Sequence, residues 1–125
     1  MEIKKKGNDF LNNLEGYRQR LKEIHWSTTC KAEHLLTDDI CGDIQDYEDK
    51  VAEALMGCGD FRYGIGDLKT MSPTSKKLTD LLKELLEDVE TYKETLDDKK
   101  NAGIINILDD FTENIYTWKY LSTFS

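Results

Sequence analysis

The fold reading turns on residues 24–53, IHWSTTCKAEHLLTDDICGDIQDYEDKVAE. This stretch holds both histidines of the chain, His25 and His34, followed by Asp38, Asp49 and Glu53. From His34 the steps to those acids are 4, 11 and 4, and all return to nearly one side of an α-helix. Imidazole and carboxylate at that spacing suit a divalent iron or zinc site. Distance sets a condition on it. His34 and Asp49 are 15 residues apart, roughly 22 Å along a helix at about 1.5 Å per residue, whereas metal–ligand bonds are about 2 Å. These two residues cannot hold one ion within one chain. Either the pattern binds no metal, or a second subunit supplies the other half.

The same stretch predicts a helix from Lys31 to Met56, stopped at Gly57. Its acids include Glu33, Asp39, Asp43, Asp46 and Glu48, and a charge run is ordinarily a solvated face. Part of this run shares a face with His34 and Cys41. Cys41 reads as a small packed apolar residue. Gly42, in mid-helix, costs about 1 kcal/mol relative to alanine and points to close approach of another helix.

Working outward, Phe10, Leu14, Tyr17, Leu21 and Ile24 step by 4, 3, 4 and 3, the stripe of an amphipathic helix over about 9–28. His25 and Trp26 close that helix, and Ser27, Thr28 and Thr29 offer a cap for the next. Residues 1–8 read as a polar lead-in with Lys4, Lys5 and Lys6. Residues 58–72 are loop-like, with Gly64 and Gly66 lacking the strand and third glycine of a phosphate loop. Pro73 is read as the first-turn proline of a third helix, whose stripe is Leu78, Leu81, Leu82, Leu85, Val89, Tyr92 and Leu96. A short turn at 99–103 leads into a fourth helix over 104–121, with Ile104, Leu108, Phe111, Ile115 and Trp118 on its apolar side. The brevity of that turn makes helices three and four antiparallel neighbours.

Length and composition fit this picture. The 125 residues suit a single domain, 1–125, with one proline, 38% hydrophobic and 34% charged residues. A net charge of −8 argues against nucleic acid as a partner and favours cation capture. No apolar run reaches the ~20 residues that span a bilayer, and the first ten residues lack a signal-peptide core. Three cysteines without a C-x-x-C pattern read as reduced thiols in the cytoplasm.

Taken together, H-W, a second histidine, Asp fifteen residues later and the D-K-V-A-E step resemble the Dps branch of the ferritin-like superfamily (DNA-binding proteins from starved cells). The segment 101–118, NAGIINILDDFTENIYTW, is similar to that family's last helix. The resemblance implies an all-α, ferritin-like four-helix bundle with a crossover connection between helices two and three, carrying a short helix in that connection. It also implies a ferroxidase centre astride a two-fold interface. His25 and His34 of one subunit, with Asp49 and Glu53 of its neighbour, would bind iron (Fe2+/Fe3+), and Asp38 would be a bridging or supporting acid. Trp26 would pack beside the metal. The implied protein is a homo-oligomeric mini-ferritin, a dodecamer, that oxidises Fe2+ with hydrogen peroxide or oxygen and stores Fe3+ in its hollow interior. The spacing of nine residues from His25 to His34 is shorter than the family's.

Competing chemistries are thinner. A di-iron centre inside one bundle needs two Glu-x-x-His motifs, and this chain has none: His25 follows Lys22 by three and His34 follows Lys31. Neither histidine stands with a serine or cysteine in a nucleophile motif. Two alternatives to iron storage remain. One is a helical-bundle interaction or packaging protein without a working metal site, and the other is a DNA-condensing protein, which the charge disfavours.

Overall fold

Four apolar stripes at helical spacing give four helices. The computed structural model describes residues 2–124, with α1 at Glu2–Ser27, α2 at Lys31–Gly59, α3 at Leu78–Glu94 and α4 at Ala102–Leu121. Among the described residues there is no strand, and no helix is long and apolar enough to cross a membrane. The helices form a four-helix bundle. Each touches two others: α1 packs on α2 and α3, and α4 packs on α2 and α3. The stripes meet in one core containing Leu14, Ile44, Leu85 and Phe111, each buried to the last per cent or so. Stacked rings tie the two pairs of helices that no short turn joins. Phe10 lies on Tyr92 at 4.3 Å between α1 and α3, and Tyr47 lies on Phe111 at 4.2 Å between α2 and α4. Such pairs add roughly 0.5–1.5 kcal/mol beyond the area they bury.

Four boundaries differ from the sequence reading. α1 starts at Glu2, so Lys4, Lys5 and Lys6 are helical rather than a lead-in (Met1 lies outside the described residues). What holds these extra turns, about two of them, is cover from elsewhere: Lys4 sits over the rings of Phe61 and Tyr63, and Gly7 is pressed against Leu55. α2 runs through Gly57 to Gly59. The left-handed residue that ends it is Asp60, at φ 53°, whose N–H bonds the carbonyl of Met56. Aspartate is one of the few side chains that tolerate that region. α4 begins two residues early, at Ala102. α3 begins at Leu78, five residues after Pro73. The carboxylate of Glu84 accepts from Thr74 N, Thr74 Oγ1 and Ser75 N at 2.9–3.1 Å, and Arg20 donates to the Ser75 carbonyl. These bonds hold residues 74–75 outside any helix.

Between α2 and α3, residues 61–77 carry no helix, where the resemblance implied a short one. They lie along α1 instead. Lys4 Nζ donates to the Arg62 carbonyl and Asn8 Nδ2 to that of Asp67. At Asn12, the side chain accepts from Lys69 N at 2.7 Å and the backbone carbonyl from Met71 N at 3.0 Å. Gly16 lies under the Met71 carbonyl, and Arg20 reaches Ser75. These contacts fall at residues 4, 8, 12, 16 and 20, one helical turn apart.

Candidate metal centre

The centre is built where α1 gives way to α2, joined by residues 28–30. Thr28 N bonds back to Ile24 O at 2.9 Å and completes α1. The Thr28 hydroxyl accepts from Cys30 N and donates to the Glu33 carboxylate, a threonine–glutamate pair that fixes the entry to α2. So tight a turn brings His25 and His34 face to face. Their rings stack with centroids 3.8 Å apart and planes 14° from parallel. Each ring also bonds the other residue's backbone: His25 Nδ1 donates to His34 O at 2.5 Å, and His34 Nδ1 donates to His25 O at 2.8 Å. A carbonyl can only accept, so in the neutral rings the proton sits on Nδ1 and the lone pair on Nε2. Histidines that bind metal commonly have this second bond, which fixes both tautomer and ring orientation.

Thr37, fully buried, supports the pair from below. Its hydroxyl donates to Glu33 O at 2.8 Å and lies 3.4 Å from His25 Nδ1. His25 is half-buried and His34 exposed. Asp38, one turn on from His34, is exposed, and so are Asp49 and Glu53 toward the far end of α2. Among the described residues, no three His, Cys, Asp or Glu side chains of one chain converge in a group that could hold a metal ion. The structure therefore brings His25 and His34 together and leaves Asp49 and Glu53 remote from them. Within the chain Trp26 is 74% exposed and Leu35 is 55% exposed.

Glu48 is the residue that the sequence reading misplaced. Counted there among the solvated acids, it is buried between α1 and α2. The signal was present. Cys41, Ile44, Glu48, Val51 and Leu55 step by 3, 4, 3 and 4, which puts Glu48 in the buried stripe. Arg18 Nη1 lies 3.3 Å from Glu48 Oε1 and 3.3 Å from Glu15 Oε2, and Arg18 Nη2 donates to Gln45 Oε1 at 3.2 Å. Burial raises the Glu48 pKa, and the Glu15 carboxylate raises it further. Arg18 pulls the other way without winning, and the group is pushed up to about 8.

A raised carboxylate makes the folded state hold a proton that the unfolded chain has already released. Its effect on stability therefore has a definite sign. Stability falls as pH climbs from the ordinary glutamate range toward that raised value, and levels off above it. Urea unfolding at pH 5, 6, 7 and 8 is expected to show a decline of about 1–3 kcal/mol in the native chain. Glu48→Gln should flatten that decline. If the substituted protein were as pH-dependent as the native chain, Glu48 would be removed as the source.

The profile of a protein family described as a family of unknown function (DUF5856) matches residues 25–121. No curated protein and no solved structure matches the chain. The matched span opens at His25 and takes in the histidine pair, all of α2 and the rest of the bundle to the end of α4. It covers well over half of the 125 residues, and the chain belongs to this family, DUF5856.

Proposed function

We propose that the protein oxidises Fe2+ at sites completed by a second copy of the chain and keeps the Fe3+ product inside a hollow homo-oligomer. On this reading the bundle is ferritin-like, residues 60–77 are the crossover between α2 and α3, and the shell is the cytoplasmic dodecamer implied by resemblance to the Dps family. The crossover is supported by the run of 62–75 along α1, which carries the chain from the Gly7 end of the bundle toward the Ser27 end.

One observation carries the proposal. Two imidazoles stack on each other with both Nδ1 atoms engaged, which leaves the lone pair of each neutral ring on Nε2. Two exposed carboxylates, Asp49 and Glu53, stand 15 and 19 residues along the same helix from His34. Imidazole with carboxylate suits iron in both oxidation states. His25 and His34 of one copy would face Asp49 and Glu53 of another, with Asp38 beside the histidines. Two Fe2+ each give one electron to hydrogen peroxide. Its O–O bond breaks, and with two protons it leaves as two waters, so no hydroxyl radical is released.

The exposed Trp26 and Leu35 favour an interface at this end of the molecule. That also fits the second reading, an interaction or packaging protein without oxidation. DNA condensation has less support, because Lys4 pairs with Asp67 and Lys6 with Glu2. The deciding experiment adds Fe2+ anaerobically, then peroxide or air, and follows iron on a sizing column. Oxidation well above the buffer rate, with iron co-eluting at a shell-sized mass, is expected. A small species that leaves Fe2+ unoxidised would overturn iron storage and leave the interaction reading.

A further inference from the structure

Residues 61–77 carry more apolar surface to solvent than a connection needs. Ile65 is fully exposed, and Leu68 and Met71, at steps of three beyond it, are exposed as well. Single exposed apolar residues need no explanation, but three within seven residues of one segment do. The segment is held to α1 through its backbone, at Asn8, Asn12, Gly16 and Arg20. That leaves these three side chains outside.

Ile65 is also fixed in place. It sits in a turn where Asp67 N donates to Gly64 O at 3.2 Å and Asp67 Oδ2 accepts from Gly64 N at 2.6 Å. Gly66, at φ 89°, supplies the positive φ that such a turn takes at its third residue. An uncovered isoleucine on a rigid turn loses little freedom when another surface buries it.

The charge on this side is opposite to that of the molecule. Residues 61–77 hold Arg62, Lys69, Lys76 and Lys77 against one acid, a net +3 in a chain of −8. That acid, Asp67, is occupied by Gly64 N and by Lys4 Nζ at 3.4 Å. Beneath the segment, α1 adds six lysines and arginines against four acids, whereas α2 has two lysines against eight acids. Cations therefore gather on the side that exposes Ile65, Leu68 and Met71. A second exposed apolar ridge, Tyr116, Tyr120 and Phe124, lies at the end of α4, which does not touch α1 and carries Asp109, Asp110 and Glu113.

We propose that the outer face of residues 61–77 docks on an anionic lipid bilayer, with Ile65 entering the interfacial layer. Apolar side chains that bury there and cations that meet acidic headgroups act together in peripheral binding, and either alone holds weakly. Nucleic acid would use the same cations, but it offers the three apolar side chains little to bury against. This is docking without crossing, since no described helix is long and apolar enough to span.

Flotation of the full chain with vesicles tests this, in EDTA so that no divalent cation bridges protein acids to lipid. Native protein is expected to float with vesicles of phosphatidylcholine and phosphatidylserine, and to stay behind with phosphatidylcholine alone. Raised salt should release it. Ile65→Ser should weaken binding about tenfold at an unchanged melting temperature, because the fold leaves this side chain uncovered. Arg62→Glu combined with Lys69→Glu should abolish binding. Tyr120→Ser, on the acidic side, should bind like the native chain. Failure of native protein to bind phosphatidylserine vesicles would overturn the proposal, and so would native-like binding by Ile65→Ser. Duplex DNA bound without vesicle binding, and unaltered in Ile65→Ser, would assign the face to nucleic acid instead. No iron is present, so vesicle binding and Fe2+ oxidation succeed or fail separately.

Discussion

His34→Ala is expected to reduce peroxide-driven Fe2+ oxidation about 100-fold or more while leaving the protein folded. Removing a residue that merely supports a metal ligand already costs about 10–100-fold, and the role proposed for His34 is that of a ligand itself. The fold should survive because the ring is exposed. What it loses locally is one Nδ1–H···O bond to His25 and one stacked face, together about 1–2 kcal/mol. Asp49→Asn is the companion variant. Asp49 is exposed on α2 and 15 residues from His34, so its replacement should change stability by no more than about 0.5 kcal/mol. Yet it should suppress oxidation comparably. Mixing the two inactive variants is the stricter test. When subunits are refolded together, half of the dimers are mixed, and in each of those one of the two sites has both its histidine and its aspartate. About a quarter of native activity should return. Recovery of none would mean that histidine and carboxylate do not meet across an interface. Full activity in His34→Ala alone would remove the histidine pair from the reaction and leave it a clasp between α1 and α2.

The sequence was legible wherever a helix uses its own residues for its own burial. Phe10, Leu14, Tyr17, Leu21 and Ile24 all face the core, as their spacing requires, and so do Leu78 to Tyr92 on α3 and Ile104, Leu108, Phe111, Ile115 and Trp118 on α4. Legibility ended where a boundary depends on a partner far away in the chain. α1 gains its first turn from Phe61 and Tyr63, and α3 loses the turn after Pro73 to Glu84 and Arg20. Gly57 reads as a helix stop because glycine is the commonest left-handed residue, but Asp60 takes that conformation. At the candidate site, the two histidines stand out in the sequence, but their mutual geometry does not. The stacking of His25 on His34 follows from the closeness of the turn at 28–30, which spacing alone does not give. Glu48 was hidden by its chemistry: its position said core and its charge said surface. Arg18 and Glu15 reconcile the two.

Gly16→Ala is expected to destabilise the protein by about 2–3 kcal/mol, against the usual gain of about 1 kcal/mol when alanine replaces glycine in a helix. The reason is a backbone contact. A Cβ at residue 16 would lie 1.7 Å from the Met71 carbonyl oxygen and 2.6 Å from its carbon, with Pro73 Cδ at 3.2 Å. No rotamer change relieves that overlap, because the obstacle is main chain, so residues 69–75 must lift away from α1. Lifting them stretches Met71 N to Asn12 O, now 3.0 Å, and Lys69 N to Asn12 Oδ1, now 2.7 Å. Each such bond is worth about 1 kcal/mol net, and an amide left buried without a partner costs more. For a domain of this size the change corresponds to a fall in melting temperature of roughly 10 °C. Proteolysis reads the same event locally. Lys69, Lys76 and Lys77 are exposed on this segment, which has no helix of its own, and its resistance to trypsin depends on being held to α1. Gly16→Ala should therefore be cut faster at these lysines than the native chain under conditions where α3 and α4 stay intact. Gly42→Ala is the internal control: the same replacement, in open space, should raise stability by about 1 kcal/mol. If both variants gained stability, residues 69–75 would not be packed on α1 as closely as Gly16 requires, and the path of the chain between α2 and α3 would have to be redrawn.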